Sequence, residues 1–132
     1  MIELIRAEGW NFFYLALVLW TIFCSFRNGS DALQKAALLL AAGWIVTNVF
    51  WMSQTAYIAA DAVCGAMMAW LWVKEKESPL STLMTLYGAM LFWHLIAPAD
   101  WLYMAVLNVL FAWQCLVVIS GCSHGRATHL GA

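Results

Sequence analysis

The feature that most constrains the fold is an apolar run from Ala36 to Val73, which contains one charged residue, Asp61. As one continuous helix these 38 residues would be about 57 Å long, at about 1.5 Å per residue. The hydrocarbon core of a bilayer is only about 30 Å thick and needs about 20 apolar residues of helix. The run is therefore predicted to cross a membrane twice, with a tight turn near Gln54.

Polar breaks divide the rest of the apolar sequence into further spans. The breaks are the segment 27–31, "KEKESP" at 74–79 and "APAD" at 97–100. Pro79 is predicted to lie at the start of the helix after the second break, because proline suits the first turn. The sequence thus predicts an all-α protein with a single domain, a polytopic transmembrane helical bundle. Its five spans are predicted at about 10–26, 36–52, 56–73, 80–97 and 101–121.

The distribution of cationic residues predicts the orientation of these spans. With five crossings, one side of the membrane receives nearly all of the Lys and Arg residues, and the other side receives Arg6 alone. The positive-inside rule then places the N-terminus outside and the C-terminus in the cytoplasm. The residues on the cytoplasmic side are Arg27, Lys35, Lys74, Lys76 and Arg126.

The overall composition supports a membrane protein and excludes some partners. The chain is 65% hydrophobic and only 10% charged, whereas soluble domains are about 25% charged. Six Lys and Arg residues against seven Asp and Glu residues leave no basic surface for nucleic acid. The lipid bilayer is the predicted partner. Tyr57 and Tyr103 fall at span ends, where amphipathic rings favour the headgroup layer.

Four polar residues are predicted to gather in one leaflet. Asp61 lies about six residues inside the third span, at a depth of about 9 Å, and antiparallel threading brings Asn48, His94 and Asn108 to a similar depth. Because a charge that faces lipid is costly, Asp61 is expected to point inward, with His94 as its partner. This polar pocket is interpreted either as a proton or ion relay or as interhelical hydrogen bonds that only hold the fold.

Small residues at helical spacing predict close helix packing, and the loops suggest a partner. The packing positions are predicted at Gly43, Gly65, Ala69 and Gly88. Five short helices leave spare apolar surface, so the chain is expected to form a homo-oligomer or to join a larger membrane complex. The exposed loop at Lys74 and Lys76 is the predicted docking site for such a partner.

No cofactor, metal or catalytic residue is predicted, so the chain is not expected to be an enzyme. The four cysteines lack CxxC spacing and are expected to be reduced and buried. Cys122, His124 and His129 lie in a tail that is expected to be flexible, and their spacing matches no closed zinc site. Cys64 lies one turn from Asp61 but has no basic neighbour that would activate its thiol.

Three segments resemble small uncharacterised polytopic membrane proteins encoded by tailed bacteriophages. They are "TAYIAADAVCGAMMAWLWVKEKE", "LFWHLI" and "YMAVLNVLFAWQCLVV". The shared features are a membrane Asp after an aromatic residue, a Trp-rich run that ends in charges, and a final span with Asn. The resemblance covers the last three spans and implies a multi-pass protein of the bacterial inner membrane. It implies roles such as a holin-like pore, exclusion of competing phage, or a membrane part of the particle or its ejection apparatus.

Two functions follow as expectations. The first is a small oligomeric channel or pore of a bacterial or phage inner-membrane protein, with a polar pocket in the outer leaflet. The alternative is a non-catalytic structural or regulatory subunit of a larger membrane complex, in which the same polar residues only fix the bundle.

Overall fold

The computed structural model describes residues 2–50, 54–97 and 101–131, and it describes side chains over 12–50, 54–97 and 102–123. The described residues form five α-helices and no strand, which confirms the predicted all-α class. The helices are α1 (Ile2–Asn28), α2 (Asp31–Val49), α3 (Gln54–Glu75), α4 (Ser78–Ile96) and α5 (Trp101–Gly131).

Four of these helices, α2 to α5, are long and apolar enough to cross a membrane. The described side chains of α1 form a shorter apolar segment, Phe12–Asn28. The outer surface of the bundle carries large apolar side chains such as Phe12, Val49, Leu95 and Val109, each more than half exposed. An apolar exterior of this kind suits a membrane protein.

The helix ends follow local capping more closely than hydropathy. The long apolar run breaks between Val49 and Gln54, as predicted, and Pro79 lies in the first turn of α4. α2 begins at Asp31 and not near residue 36, because the Ser30 hydroxyl caps it by accepting a hydrogen bond from the Leu33 N–H at 3.3 Å. α5 continues to residue 131, where a flexible tail was expected. Helical hydrogen bonding thus extends beyond the apolar stretch.

α2 is the central helix and packs against each of the other four. Around it, α3 packs on α4, α4 on α5 and α5 on α1, whereas the described parts of α1 do not contact α3 or α4. α1 and α5 run parallel. The Tyr14 hydroxyl donates to the Asn108 carbonyl at 3.0 Å, and fifteen residues later Gly29 lies against the thiol of Cys122.

One end of the bundle, which we call the base, holds the α1–α2 and α3–α4 connections close together. The Ser30 hydroxyl donates to the Glu77 carboxylate at 2.8 Å and so links the two connections. A Cβ added at Gly29 would lie 3.0 Å from the Cys122 thiol, and one at Gly121 would lie 3.1 Å from Pro79. The base is therefore tightly packed. We call the opposite end, where α2 ends and α3 begins, the open end.

The interior near the base is an apolar core. Met68, Leu80, Leu83 and Val118 are fully buried there. The four cysteines are free thiols, as predicted. Three of them are buried, namely Cys64, Cys115 and Cys122, and Cys24 is partly exposed.

Candidate functional site

Three buried side chains from three helices form a hydrogen-bonded network. His94 of α4 places Nε2 2.6 Å from Oδ2 of Asp61 on α3, and it places Nδ1 2.6 Å from the hydroxyl of Tyr103 on α5. Asp61 is 8% exposed, His94 4% and Tyr103 5%, so the whole network is buried inside the bundle. The structure thus brings the predicted pair, Asp61 and His94, into direct contact.

The inner face of α3 explains the position of Asp61. Tyr57, Asp61 and Met68 follow one another at spacings of four and seven residues, and all three are buried. Tyr57 and Tyr103, which were predicted at span ends, are both buried in the bundle. Trp93 holds α5 beside α4, since its Nε1–H donates to the Tyr103 carbonyl at 3.1 Å.

The network can hold two different charges without losing a hydrogen bond. When His94 is neutral, the Tyr103 hydroxyl donates to Nδ1 and Nε2–H donates to the Asp61 carboxylate, which gives a net charge of about −1. When His94 is protonated, Nδ1–H donates to the Tyr103 oxygen and the net charge is about zero. The arrangement can therefore take up one proton with no change in its contacts.

A cavity of about 550 Å³ lies beside this network, and all five helices contribute to its wall. Asp61 lines the cavity and keeps 12% of its side-chain exposure, whereas the His94 side chain keeps 0%. Asp61 is therefore the member of the network that reaches the cavity, and His94 lies behind it.

Asn48 and Asn108, the other two residues of the predicted pocket, also line the cavity. The Asn48 side-chain amide donates to the Trp44 carbonyl at 2.8 Å, one turn earlier on α2. The four predicted residues are thus brought to one place, three of them on the cavity wall and His94 behind it.

Sequence reasoning missed Gln114, which lines the same cavity from α5. Gln114 is fully buried, and neither its side-chain nitrogen nor its oxygen has a hydrogen-bond partner among the described residues. It lies six residues beyond Asn108, or about 9 Å closer to the base. The cavity is therefore deeper than the predicted outer pocket. A buried amide without hydrogen-bond partners destabilises a folded protein by about 1 to 3 kcal/mol, so a role beyond folding would explain why Gln114 lies there.

The predicted packing positions divide into three groups. A Cβ added at Gly43 would lie 3.3 Å from the Cys64 thiol, and one at Gly65 would lie 3.2 Å from Cβ of Tyr87, so both glycines permit close helix approach. Ala69 is partly buried. Gly88 does not serve this role within the chain, because it is exposed and no described atom lies within 4 Å of an added Cβ.

The residues predicted for docking lie apart from the cavity. Lys74 and Lys76 are both exposed at the base, and the Lys74 ammonium lies 4.9 Å from the centre of the Trp70 ring. Lys76 ends α3 with a left-handed backbone (φ 54°). Among the side chains that the structure describes, no group of three His, Cys, Asp or Glu could hold a metal ion. The side chains of His124 and His129 lie outside that part of the chain.

Comparison with protein-family models, with curated proteins and with solved structures found no match to this chain. No residue role can therefore be transferred from a relative. The network, the cavity and the apolar exterior are the features from which a function can be argued.

Proposed function

We propose that this chain is a small multi-pass protein of the bacterial inner membrane, of bacterial or phage origin, that acts as a channel or pore. The cavity beside Asp61 serves as its vestibule in the outer leaflet. The observation that carries the proposal is a buried carboxylate on the cavity wall, backed by His94 and Tyr103. Interhelical hydrogen bonds average only about 0.6 kcal/mol, while a charge in the membrane is expensive. Stabilising the contact between helices does not by itself account for an ionisable pair inside the bundle.

The parallel packing of α1 and α5 supports five crossings. The segment from Tyr14 to Gly29 lies along α5 from Asn108 to Cys122, a length of about 22 Å. Because α5 is one of the helices suited to the membrane, α1 crosses beside it. The cationic residues near the base support an orientation with the base in the cytoplasm and the open end outside.

The pathway is closed at the base in this conformation. Leu80, Leu83 and Val118 are each 0% exposed and fill the interior between the cavity and the base. The conducting route runs through the bundle, because the large exposed side chains on its outside are apolar and would not line a water-filled passage between copies. Oligomers formed through these apolar faces would place several such units side by side.

Protonation of the network is expected to regulate cation entry. The titratable side chains near Asp61 include His94 and Tyr87 from α4 and Tyr103 from α5, together with Tyr57 and Cys64 from its own helix. Uptake of one proton removes the negative charge of the network from the cavity wall. Cation flux is therefore expected to fall as the pH is lowered.

Flux measurements in liposomes test the proposal. Purified protein is reconstituted, and rubidium uptake is followed over a range of pH for the wild type, for Asp61→Asn and for the control Glu75→Gln. The control removes the same charge from an exposed position at the end of α3. Asp61→Asn is expected to lower flux about tenfold, equivalent to about 1.4 kcal/mol, and to flatten its pH dependence. Absence of ion flux from wild-type protein at every pH would rule the channel out.

The alternative function, a non-catalytic structural or regulatory subunit, is favoured by a different surface. An apolar groove of about 280 Å³ lies on the outside of the bundle between α2 and α3, lined by residues that include Leu38, Met67 and Trp70. The exposed Lys74 and Lys76 lie nearby at the base. This function predicts that a larger assembly survives gentle extraction. A native mass equal to the chain alone would count against it.

A further inference from the structure

We propose that the cavity binds an elongated organic cation, with an alkylammonium group near Asp61 and a hydrogen-bonding group such as an amide at Gln114. The inference rests on the proposed function, since it names the class of molecule that the vestibule admits. Its volume of about 550 Å³ lies within the range of about 300 to 1,000 Å³ that is typical of small-molecule pockets.

The charge of the cavity wall selects against anions. Among the described side chains that line the cavity, Asp61 alone is an acidic residue, and none is Lys, Arg or His. A carboxylate in a poorly hydrated site attracts a cation strongly, because the local dielectric is low. A zwitterionic lipid headgroup fits less well, since its phosphate would find no cationic partner on this wall. The wall therefore favours a cation that carries no anionic group.

Aromatic rings supply the second element of recognition. Five aromatic side chains line the cavity, and the rings of two of them, Tyr14 and Phe111, lie 5.9 Å apart. The face of an aromatic ring attracts an alkylammonium ion, and a quaternary ammonium group is commonly bound by several such rings. The five side chains are Tyr14, Trp44, Tyr57, Tyr87 and Phe111.

Gln114 supplies the third element, at the deep end of the cavity. Its amide offers two donor hydrogens and one acceptor oxygen, and none of these has a partner among the described residues. Asn108, which lines the cavity at about the depth of Asp61, lies six residues earlier on the same helix, or about 9 Å along its axis. A ligand that satisfies both ends of the cavity must therefore be long and must carry a polar group opposite its charge.

A set of three probes separates these contributions. The first probe is a hexyl-length chain with a trimethylammonium group at one end and a primary carboxamide at the other. The second is its neutral isostere, in which carbon replaces the quaternary nitrogen, and the third is hexyltrimethylammonium without the amide. Binding to the protein in phosphatidylglycerol nanodiscs is measured by equilibrium dialysis, with empty nanodiscs subtracted. These discs contain no lipid ammonium group that could compete.

The wild type is expected to bind the first probe about tenfold more tightly than the neutral isostere. Asp61→Asn is expected to abolish that preference. Gln114→Met is expected to weaken binding of the first probe by about threefold to tenfold and to leave hexyltrimethylammonium unchanged. Glu75→Gln, which changes a charge outside the cavity, is expected to bind all three probes as the wild type does.

Equal binding of the first probe and its neutral isostere by the wild type would overturn the inference, whether or not the variants fold. Unchanged binding of the carboxamide probe by folded Gln114→Met would overturn the role of Gln114. An ammonium group could also come from a lipid headgroup, which is tested by adding phosphatidylethanolamine to the discs. Loss of probe binding in these discs would assign the site to a lipid headgroup. The binding assay is independent of the flux assay. Probe binding without ion flux would reject the channel alone, and flux without probe binding would reject this inference alone.

Discussion

Among the side chains that the structure describes, the buried polar ones include two classes. Thr21 and Ser25 satisfy their hydroxyls within α1, by donating to the carbonyls of Leu17 at 2.7 Å and Ile22 at 2.8 Å. Such hydrogen bonds form within one helix and need no neighbouring helix, so local structure accounts for them. Asp61 and Gln114 cannot be explained in this way, because one carries an ionisable group between helices and the other has no partner. Both lie on the wall of one cavity, which is why we connect them with function.

His94→Leu is expected to destabilise the protein by about 3 kcal/mol, because it leaves the Asp61 carboxylate buried without its partner. The free energy of unfolding can be measured in mixed micelles by titration with SDS. The double variant Asp61→Leu with His94→Leu is the control. It should lose less stability than His94→Leu alone, since no unpaired charge remains. An equal loss in both would show that Asp61 does not depend on His94.

Gln114→Met is expected to raise the free energy of unfolding by about 1 to 2 kcal/mol, because it replaces an unpartnered buried amide by an apolar side chain of similar volume. The same SDS titration measures it. Leu116→Met, at an exposed position on α5, provides a control for the effect of Met in this helix. A loss of stability in Gln114→Met would mean that the wild-type amide is satisfied inside the bundle.

The sequence predicted part of this site for a clear reason. Counting residues from each span end places Asp61 and His94 at one depth, and the cost of a lipid-facing charge turns Asp61 inward. Tyr103 could not be found in this way, because a tyrosine near a span end usually indicates the headgroup layer. Gln114 could not be found either, because depth alone does not show how far a cavity extends.

Among the helices, α3 and α4 show how side-chain size sets their approach. Gly65 faces Tyr87 across this contact, with room for little more than a hydrogen. The lengths and breaks of the helices were predictable, because the apolar run is too long for one crossing and polar residues separate the others. The role of Gly88 was not. α4 is apolar on nearly every face, so its sequence pattern gives no sign of which side meets a neighbouring helix.

Gly65→Val is expected to destabilise the protein by about 1 to 3 kcal/mol, because the added carbons would overlap the Tyr87 side chain. Gly88→Val is the matched control, since it makes the same change on an exposed face of the adjoining helix. Its unfolding free energy should stay within about 0.5 kcal/mol of the wild-type value. Similar losses at both positions would indicate that Gly88 packs against another copy or a partner.

For the molecule as a whole, the arrangement of helices around α2 shows where α1 lies relative to the helices that are suited to a membrane. α1 contacts α2 and α5 and no other helix in the described structure, so it lies at the edge of the bundle and not in its centre. Hydropathy assigns membrane length to four helices, and the described part of α1 is shorter. Its parallel packing along α5 is the information that the sequence pattern could not provide.

Cysteine labelling tests the orientation. In a variant whose native cysteines are replaced by alanine, Glu3→Cys and Gln54→Cys are expected to react with a membrane-impermeant maleimide added to spheroplasts. Lys74→Cys is expected to react only after the membrane is permeabilised, because the proposed orientation has the base in the cytoplasm. Protection of Glu3→Cys together with Lys74→Cys would show that α1 does not cross.

The close packing at the base has a mechanical consequence. The Ser30–Glu77 hydrogen bond and the crowded contacts at Gly29 and Gly121 fasten four helices to one another at that level. Helices held together at one end can separate only by tilting about that end. A given tilt then displaces atoms most at the far end, so small rotations at the base would widen the mouth of the vestibule first.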